Sequence, residues 1–249
     1  MNKSLRVYFA SDQHFGAPTR EESIPREQKF VQWLDTIKND ADILFLLGDL
    51  FDFWFEYKTV VPKGFVRVLG KLAELKDSGI EIHFFVGNHD LWMRNYFENE
   101  LGIAVYYAPK EFVFNGKTFL IGHGDGLGPG DTNYKRMKKI FTNNLCQWLF
   151  RWLHPDIGMR LAQYLSVENK LISGVEDVKF LGEDEWLLKY CKRKLETKHY
   201  DYFVFGHRHL PLEIDINQNS KYTNTGDWIT HFTYAVFEDQ NLTLKTYIV

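Results

Sequence analysis

The sequence predicts an α/β fold whose first strands run parallel, with a helical segment set between two strand-forming halves. Three observations carry that expectation. Short apolar runs alternate with stretches of helical spacing in the first half. Several of these runs stop abruptly in glycine and polar residues. The last third returns to closely spaced strand-like runs.

In order, Arg6–Ala10, Ile43–Leu47 and Ile80–Val86 read as buried strands. Glu21–Lys38 and Pro62–Ser78 read as the intervening helices, with Pro62 suited to a helix start. A β-α-β-α-β order implies parallel strands and right-handed crossovers. Glu111–Phe114 and Lys117–Ile121 flank Asn115-Gly116, a pair suited to a tight hairpin turn. A long helical region follows from about Asp131 to Leu165, then a helix from about Glu183 to Thr197. Strands resume at Tyr202–Phe205, Leu212–Ile216, Lys221–Thr225, Thr230–Phe237 and Leu242–Val249. Residues 1–249 read as one domain carrying a helical insertion over approximately 127–198.

Bulk properties narrow the function. A net charge of -3 supplies no overall basic field, so no nucleic-acid partner is expected. The two cysteines, Cys146 and Cys191, stand far apart, which argues against a disulfide framework and a thiolate zinc site and fits a reducing cytoplasm. The apolar stretch Leu5–Ala10 is too short for a signal segment, and no uninterrupted apolar run is long enough to span a bilayer.

The chemistry sits at five strand ends: Asp12-Gln13-His14, Gly48-Asp49-Leu50-Phe51-Asp52, Gly87-Asn88-His89-Asp90, Gly122-His123-Gly124-Asp125 and Gly206-His207-Arg208-His209. Parallel strands bring their carboxyl ends to one edge of a sheet, where ligands bind in α/β folds. Carboxylates, an amide oxygen and several imidazoles together suit Mn, Fe or Zn better than Ca or Mg. Two such ions about 3.5–4 Å apart clamp the attacking and leaving oxygens at phosphorus. A purely structural reading, turn formers and helix caps, accounts for the glycines, asparagine and aspartates. It does not account for histidines at four of the five corners.

This ordered set, spanning Asp12 to His209, resembles the calcineurin-like metallophosphoesterase superfamily. The resemblance implies a four-layer α/β/β/α sandwich with a dinuclear site at its edge. It implies that Asp12, His14 and His209 hold one ion, that Asn88, His123 and His207 hold the other, and that Asp49 bridges both. Gly48-Asp49-Leu50-Phe51-Asp52-Phe53-Trp54 and His123-Gly124-Asp125-Gly126-Leu127, followed by Asp131 and Tyr134, are similar to the UDP-2,3-diacylglucosamine hydrolase family. That similarity implies cleavage of the substrate's pyrophosphate to UMP and a 2,3-diacylglucosamine 1-phosphate in lipid A synthesis. It also implies two divalent ions, usually Mn2+, and peripheral attachment to the cytoplasmic face of the inner membrane. Asp131, Tyr134, Lys170 and Lys179 are the candidate contacts to this nucleotide-linked acylated sugar. The chain departs from the well-studied branch at His89, where that branch has arginine, and over Gly126–Gly130, where it has a threonine and a cysteine.

His89, Asn88 and Asp49 are the candidate catalytic residues; His89 either assists the leaving oxygen or is a structural histidine bonded to a carboxylate. Asp52, Asp90 and Asp125 either orient the histidines or cap helices. Arg208 faces either phosphate or solvent. The apolar residues from Phe141 to Leu165, interleaved with Lys135, Arg136, Lys138, Lys139, Arg151 and Arg160, suit a membrane interface, an acyl-chain pocket, or a packed helix pair. Phe51, Phe53, Trp54 and Phe55 read as lining the substrate mouth and core, and His83, His154, His199 and His231 as ordinary histidines. Two other functions compete: phosphoesterase action on a different phosphate ester, and a non-catalytic binding scaffold of the same fold.

Overall fold

The computed structural model describes residues 4–129, 132–161, 164 and 179–248. Two sheets pack face to face. The first has strand order β11-β10-β1-β2-β3-β4, built from Asn241–Thr246, Thr233–Glu238, Val7–Ala10, Ile43–Leu46, Glu81–Phe85 and Ala104–Tyr106. The second has order β5-β6-β7-β9-β8, built from Lys110–Phe114, Lys117–Ile121, Tyr202–Phe205, Ser220–Thr225 and Pro211–Asn217. Strands β1 to β4 are mutually parallel, as are β6, β7 and β9.

Helices α1 (Arg20–Ile37), α2 (Val66–Asp77) and α3 (Tyr96–Leu101) cover the outer face of the first sheet. The central strands are apolar on both faces because both are covered. Val7, Phe9, Ile43 and Phe45 point between the sheets toward Phe114, Phe119 and Ile121, while Tyr8, Ala10, Leu44 and Leu46 point to the helices. Helix α6 (Trp186–Leu195) lays Leu187, Leu188, Tyr190 and Cys191 on the outer face of the second sheet against Phe203, Phe205 and Tyr222. Three apolar layers thus separate four structural ones. Each fully buried Phe or Leu contributes about 1.5–3 kcal/mol to holding them.

Some boundaries differ from the sequence reading, each for a local reason. Pro62 does not start a helix. Gly64 and Phe65 take left-handed conformations (φ +112 and +57), so α2 begins at Val66, and buried Glu27 of α1 accepts the Val68 N–H (3.1 Å) that a side-chain cap would otherwise take. The long helical region from about 131 to 165 divides, over its described residues, into α4 (Thr132–Phe141), α5 (Asn144–Phe150) and a helical run at 155–161. Asn143 restarts the chain by accepting the Leu145 and Cys146 N–H groups, and Pro155 opens the next run. Strand β10 begins at Thr233, not Thr230, because Asp227 holds residues 229–231 in a turn. Helix α3 and β4 are additions; both are too short for periodicity to reveal.

Candidate metal centre

The five polar corners meet because the loops beyond the strand ends keep the ladder register. Asp12, His14 and Phe15 donate backbone N–H groups to Gly48, Asp49 and Leu50 carbonyls (3.0, 2.9 and 2.9 Å). Gly206 likewise donates to the His123 carbonyl (2.9 Å), beyond β7 and β6. Both sheets therefore deliver their carboxyl-end loops to one edge.

Two lobes result. Ligand atoms of Asp12, His14 and His209 lie within 4.8 Å of one another, as do those of Asp49, His123 and His207. Asp49 Oδ2 stands between the lobes, 3.6 Å from His14 Nε2 and 3.3 Å from His123 Nε2. Asn88 Oδ1 joins the second lobe at 3.2 Å from His123 Nε2. His14 and His209 face each other Nε2 to Nε2 at 3.2 Å. All seven residues expected to hold ions are thus brought together. His89 adds a ring nitrogen within 4.8 Å of His14 and Asp49 donors, which the metal-ligand set read from the sequence did not include.

The residues fit a pair of divalent cations. Asp12 Oδ1 is buried with no hydrogen-bond partner among the described residues, 3.4 Å from His209 Nε2 and 3.9 Å from His14 Nε2. A desolvated carboxylate oxygen flanked by imidazole nitrogens lacks only a positive centre. The backbone points the same way. Asp12, His14, Asp49, His207 and His209 all take left-handed conformations, at φ 58, 46, 54, 70 and 50. Such conformations cost non-glycine residues on the order of 1–3 kcal/mol each and persist where surrounding contacts over-determine them. Glycine serves the site by close approach: a Cβ at Gly206 would lie 2.6 Å from Asp12 Oδ2, and one at Gly87 would overlap Asp49 Oδ1.

Residues 5–211 match the family model described as calcineurin-like phosphoesterase. The chain belongs to that family. Among curated relatives, a UDP-2,3-diacylglucosamine hydrolase of Porphyromonas gingivalis is 36% identical over 97% of this chain and 97% of its own length. Enzymes of the same name from Shewanella baltica and Histophilus somni are each 25% identical, covering 90% of this chain and 90% and 92% of their own.

Within this phosphoesterase, hydrogen bonds fix how each imidazole faces the centre. His123 Nδ1 donates to the Leu47 carbonyl (2.7 Å), which turns Nε2 toward Asp49. His89 Nδ1 donates to the Asp52 carbonyl (2.9 Å), and Asp52 Oδ1 lies 3.6 Å from that nitrogen and 3.5 Å from His14 Nδ1. Asp90 orients no imidazole; its two oxygens take the Gly87 and Leu50 N–H groups (2.6 and 3.1 Å) and tie two ligand loops together. Asp125 accepts from the Tyr134 hydroxyl and Lys138 ammonium, so Tyr134 is bonded to the site's supporting shell. Lys179 has an exposed side chain, and its carbonyl accepts from Arg208. Asp131 and Lys170 lie outside the described residues. Arg208 faces neither phosphate nor solvent: it is buried against Glu185.

One supporting residue escaped the sequence reading. Asp227 Oδ2 lies 3.6 Å from His209 Nδ1, while its Oδ1 accepts the N–H groups of Ile229, Thr230 and His231. Its signal was present, since Gly226-Asp227 repeats the glycine-then-polar rule at a sixth strand end. The sequence predicts the strand itself over Lys221–Thr225, but its polar end (Thr223, Asn224, Thr225) keeps Gly226-Asp227 from standing out as the end of an apolar run. Asp227→Asn is expected to weaken binding of the ion that His209 would hold by about 10–100-fold, the usual effect of losing a carboxylate behind a ligating histidine. Calorimetric Mn2+ titration of the variant checks this; unchanged affinity at both sites would refute it.

Burial and charge set the protonation states. Burial alone would lower His123, but Asp49, helped by Asp12 and Asp125, pushes it up to about 10. Burial, then repulsion from His123, takes His207 down to about 3, which keeps it a neutral ligand. Burial opposes ionisation of Asp49, yet His123 and His89 hold it well below the usual carboxylate range. Burial raises Asp12.

Proposed function

We propose that this chain hydrolyses the pyrophosphate of UDP-2,3-diacylglucosamine to UMP and a 2,3-diacylglucosamine 1-phosphate, as a step of lipid A synthesis. The observation that carries the reading is the 36% identity over 97% of both chains. Asp12, His14 and His209 would hold one ion, Asn88, His123 and His207 the other, and Asp49 both, with manganese the first choice over iron and zinc. When bound, the ions supply Lewis-acid activation of water and of the phosphoryl oxygens. The protein's own groups do the rest. Asn88 and Asp49 fix the geometry of the second lobe. His89, its Nδ1 held by the Asp52 carbonyl and its ring beside His14 and Asp49, offers electrostatic stabilisation to the leaving phosphate oxygen. A phosphate leaving group needs little protonation, so this contribution is electrostatic before it is acid catalysis.

Residues 1–249 are taken as one domain with its helical insertion over 127–198, the carboxyl end of that stretch forming α6 of the sandwich. The insertion docks beside His89: Phe150 packs on Phe53, Phe55 and Trp92, and Arg94 donates to Gln147. Its other face leaves Leu145, Trp148, Leu149, Trp152 and Ile157 exposed. Among the described residues no helix is long and apolar enough to cross a membrane. That exposed face, beside Arg136, Lys139 and Arg160, suits peripheral attachment at the cytoplasmic face of the inner membrane, where the acylated substrate resides.

Release of UMP from UDP-2,3-diacylglucosamine, dependent on Mn2+, tests the reaction; brisk turnover of simple nucleotides with none of this substrate would refute it. For attachment, co-sedimentation with anionic vesicles is expected to fall several-fold in Trp148→Ser/Trp152→Ser. Equal binding by the variant would remove the membrane role from this face.

A further inference from the structure

Arg208 stands between two candidate ligands yet turns away from them. Its guanidinium is buried, with Nε donating to Glu185 Oε1 (2.6 Å) and the terminal nitrogen to Oε2 (3.3 Å) and to the Lys179 carbonyl (2.9 Å). Glu185 is wholly buried and immediately precedes α6. A paired fork of this kind fixes orientation as well as distance. On either side of Arg208, His207 and His209 take left-handed conformations, at φ 70 and 50. The next two residues after Glu185 press on the other ligand loop: Trp186 Cβ would lie 2.6 Å from a Cβ at Gly128, and Leu187 Cδ1 3.0 Å from one at Gly124, the residue after His123. The Arg208 guanidinium also lies 5.7 Å from the Trp186 ring centroid. Glu185, Trp186 and Leu187 therefore form a buttress under His123, His207 and His209.

We infer that Arg208 and Glu185 are positioning residues. Their buried pair holds the strained loop that presents His207 and His209, one to each lobe, and ties that presentation to the segment 179–185 returning from the helical insertion. The inference rests on the two-ion reading above. A buried ion pair is a poor device for stability alone, because apolar residues of similar volume often stabilise as well or better. What it supplies here is direction: the fork faces one carboxylate on a different element.

The test replaces both partners together, Arg208→Met/Glu185→Met, so that no unpaired charge is left buried. The variant is expected to keep the wild-type circular dichroism spectrum and cooperative melting in chelator. It is expected to bind Mn2+ at least about tenfold more weakly, the effect seen when support behind ligands is lost. It should also lose the spin-coupled two-ion signal in electron paramagnetic resonance, with kcat falling more than KM rises. Arg208→Lys keeps the charge but not the fork, and is expected to show a smaller loss of the same kind. Wild-type Mn2+ affinity and an unchanged spin-coupled spectrum in either folded variant would overturn the inference. If the double variant fails to fold, Arg208→Lys decides alone. A wild-type protein that binds no second ion would instead sink the two-ion reading, and this inference with it.

Discussion

Asp49→Ala is expected to abolish Mn2+-dependent hydrolysis, lowering kcat by at least about a thousandfold. Asp49 Oδ2 lies within 3.6 Å of imidazole nitrogens from both lobes, and Oδ1 accepts the His89 N–H at 2.8 Å. Removing it takes a shared negative charge from the site proposed to hold two dications, and such ions supply several kcal/mol of transition-state stabilisation. Metal analysis should read one ion or none in the variant. A second signature is independent of turnover. With Asp49 gone, burial is no longer outweighed at His123, so its pKa falls from about 10. Imidazole NMR titration in chelator reads this directly. A variant holding two ions with kcat within tenfold of wild type would remove Asp49 from the bridging position.

The second large effect is on pH. His207 is already neutral above about 3, but His123, against burial, keeps its proton up to about 10 through Asp49, with Asp12 and Asp125 helping. Binding a cation through His123 Nε2 must expel that proton. Below about 10, apparent affinity should therefore rise about tenfold per pH unit, or about a hundredfold from pH 6 to 8. Titration calorimetry in two buffers of different ionisation enthalpy should count about one proton released. Stability in chelator runs the opposite way. A histidine whose folded pKa lies above its unfolded value of about 6.5 contributes stability fully present below 6.5 and lost as pH rises through about 10. The melting temperature in chelator should fall across that window, while the gain on adding Mn2+ should widen. Pure pH-independence of both would place the proton elsewhere.

Much of this was legible beforehand because strand ends leave a local mark. An apolar run followed by glycine and a polar residue records where a sheet stops, and five such marks named all seven of the candidate ligands that converge, from Asp12 to His209. The mark fails where a strand is polar, as in β9, and so Asp227 was missed. It also cannot separate a residue that faces an ion from one that faces a backbone amide. Asp52 and Asp90 look alike in sequence, yet one lies beside His14 and His89 and the other clamps Gly87 to Leu50.

By itself the sequence determined most of the element order, the candidate ligands and the family resemblance, since each depends on residue types within a few positions of one another. Only the tertiary structure decided that the turn at Asp12 runs in ladder register with the turn at Asp49, that five non-glycine ligands occupy left-handed backbone, and that Arg208 turns to Glu185 rather than to phosphate. The physical reason is one of range. Local patterns fix which backbone states are cheap, whereas expensive states such as φ +70 at His207 exist only where contacts from distant segments, here Glu185 at the head of α6, hold them in place.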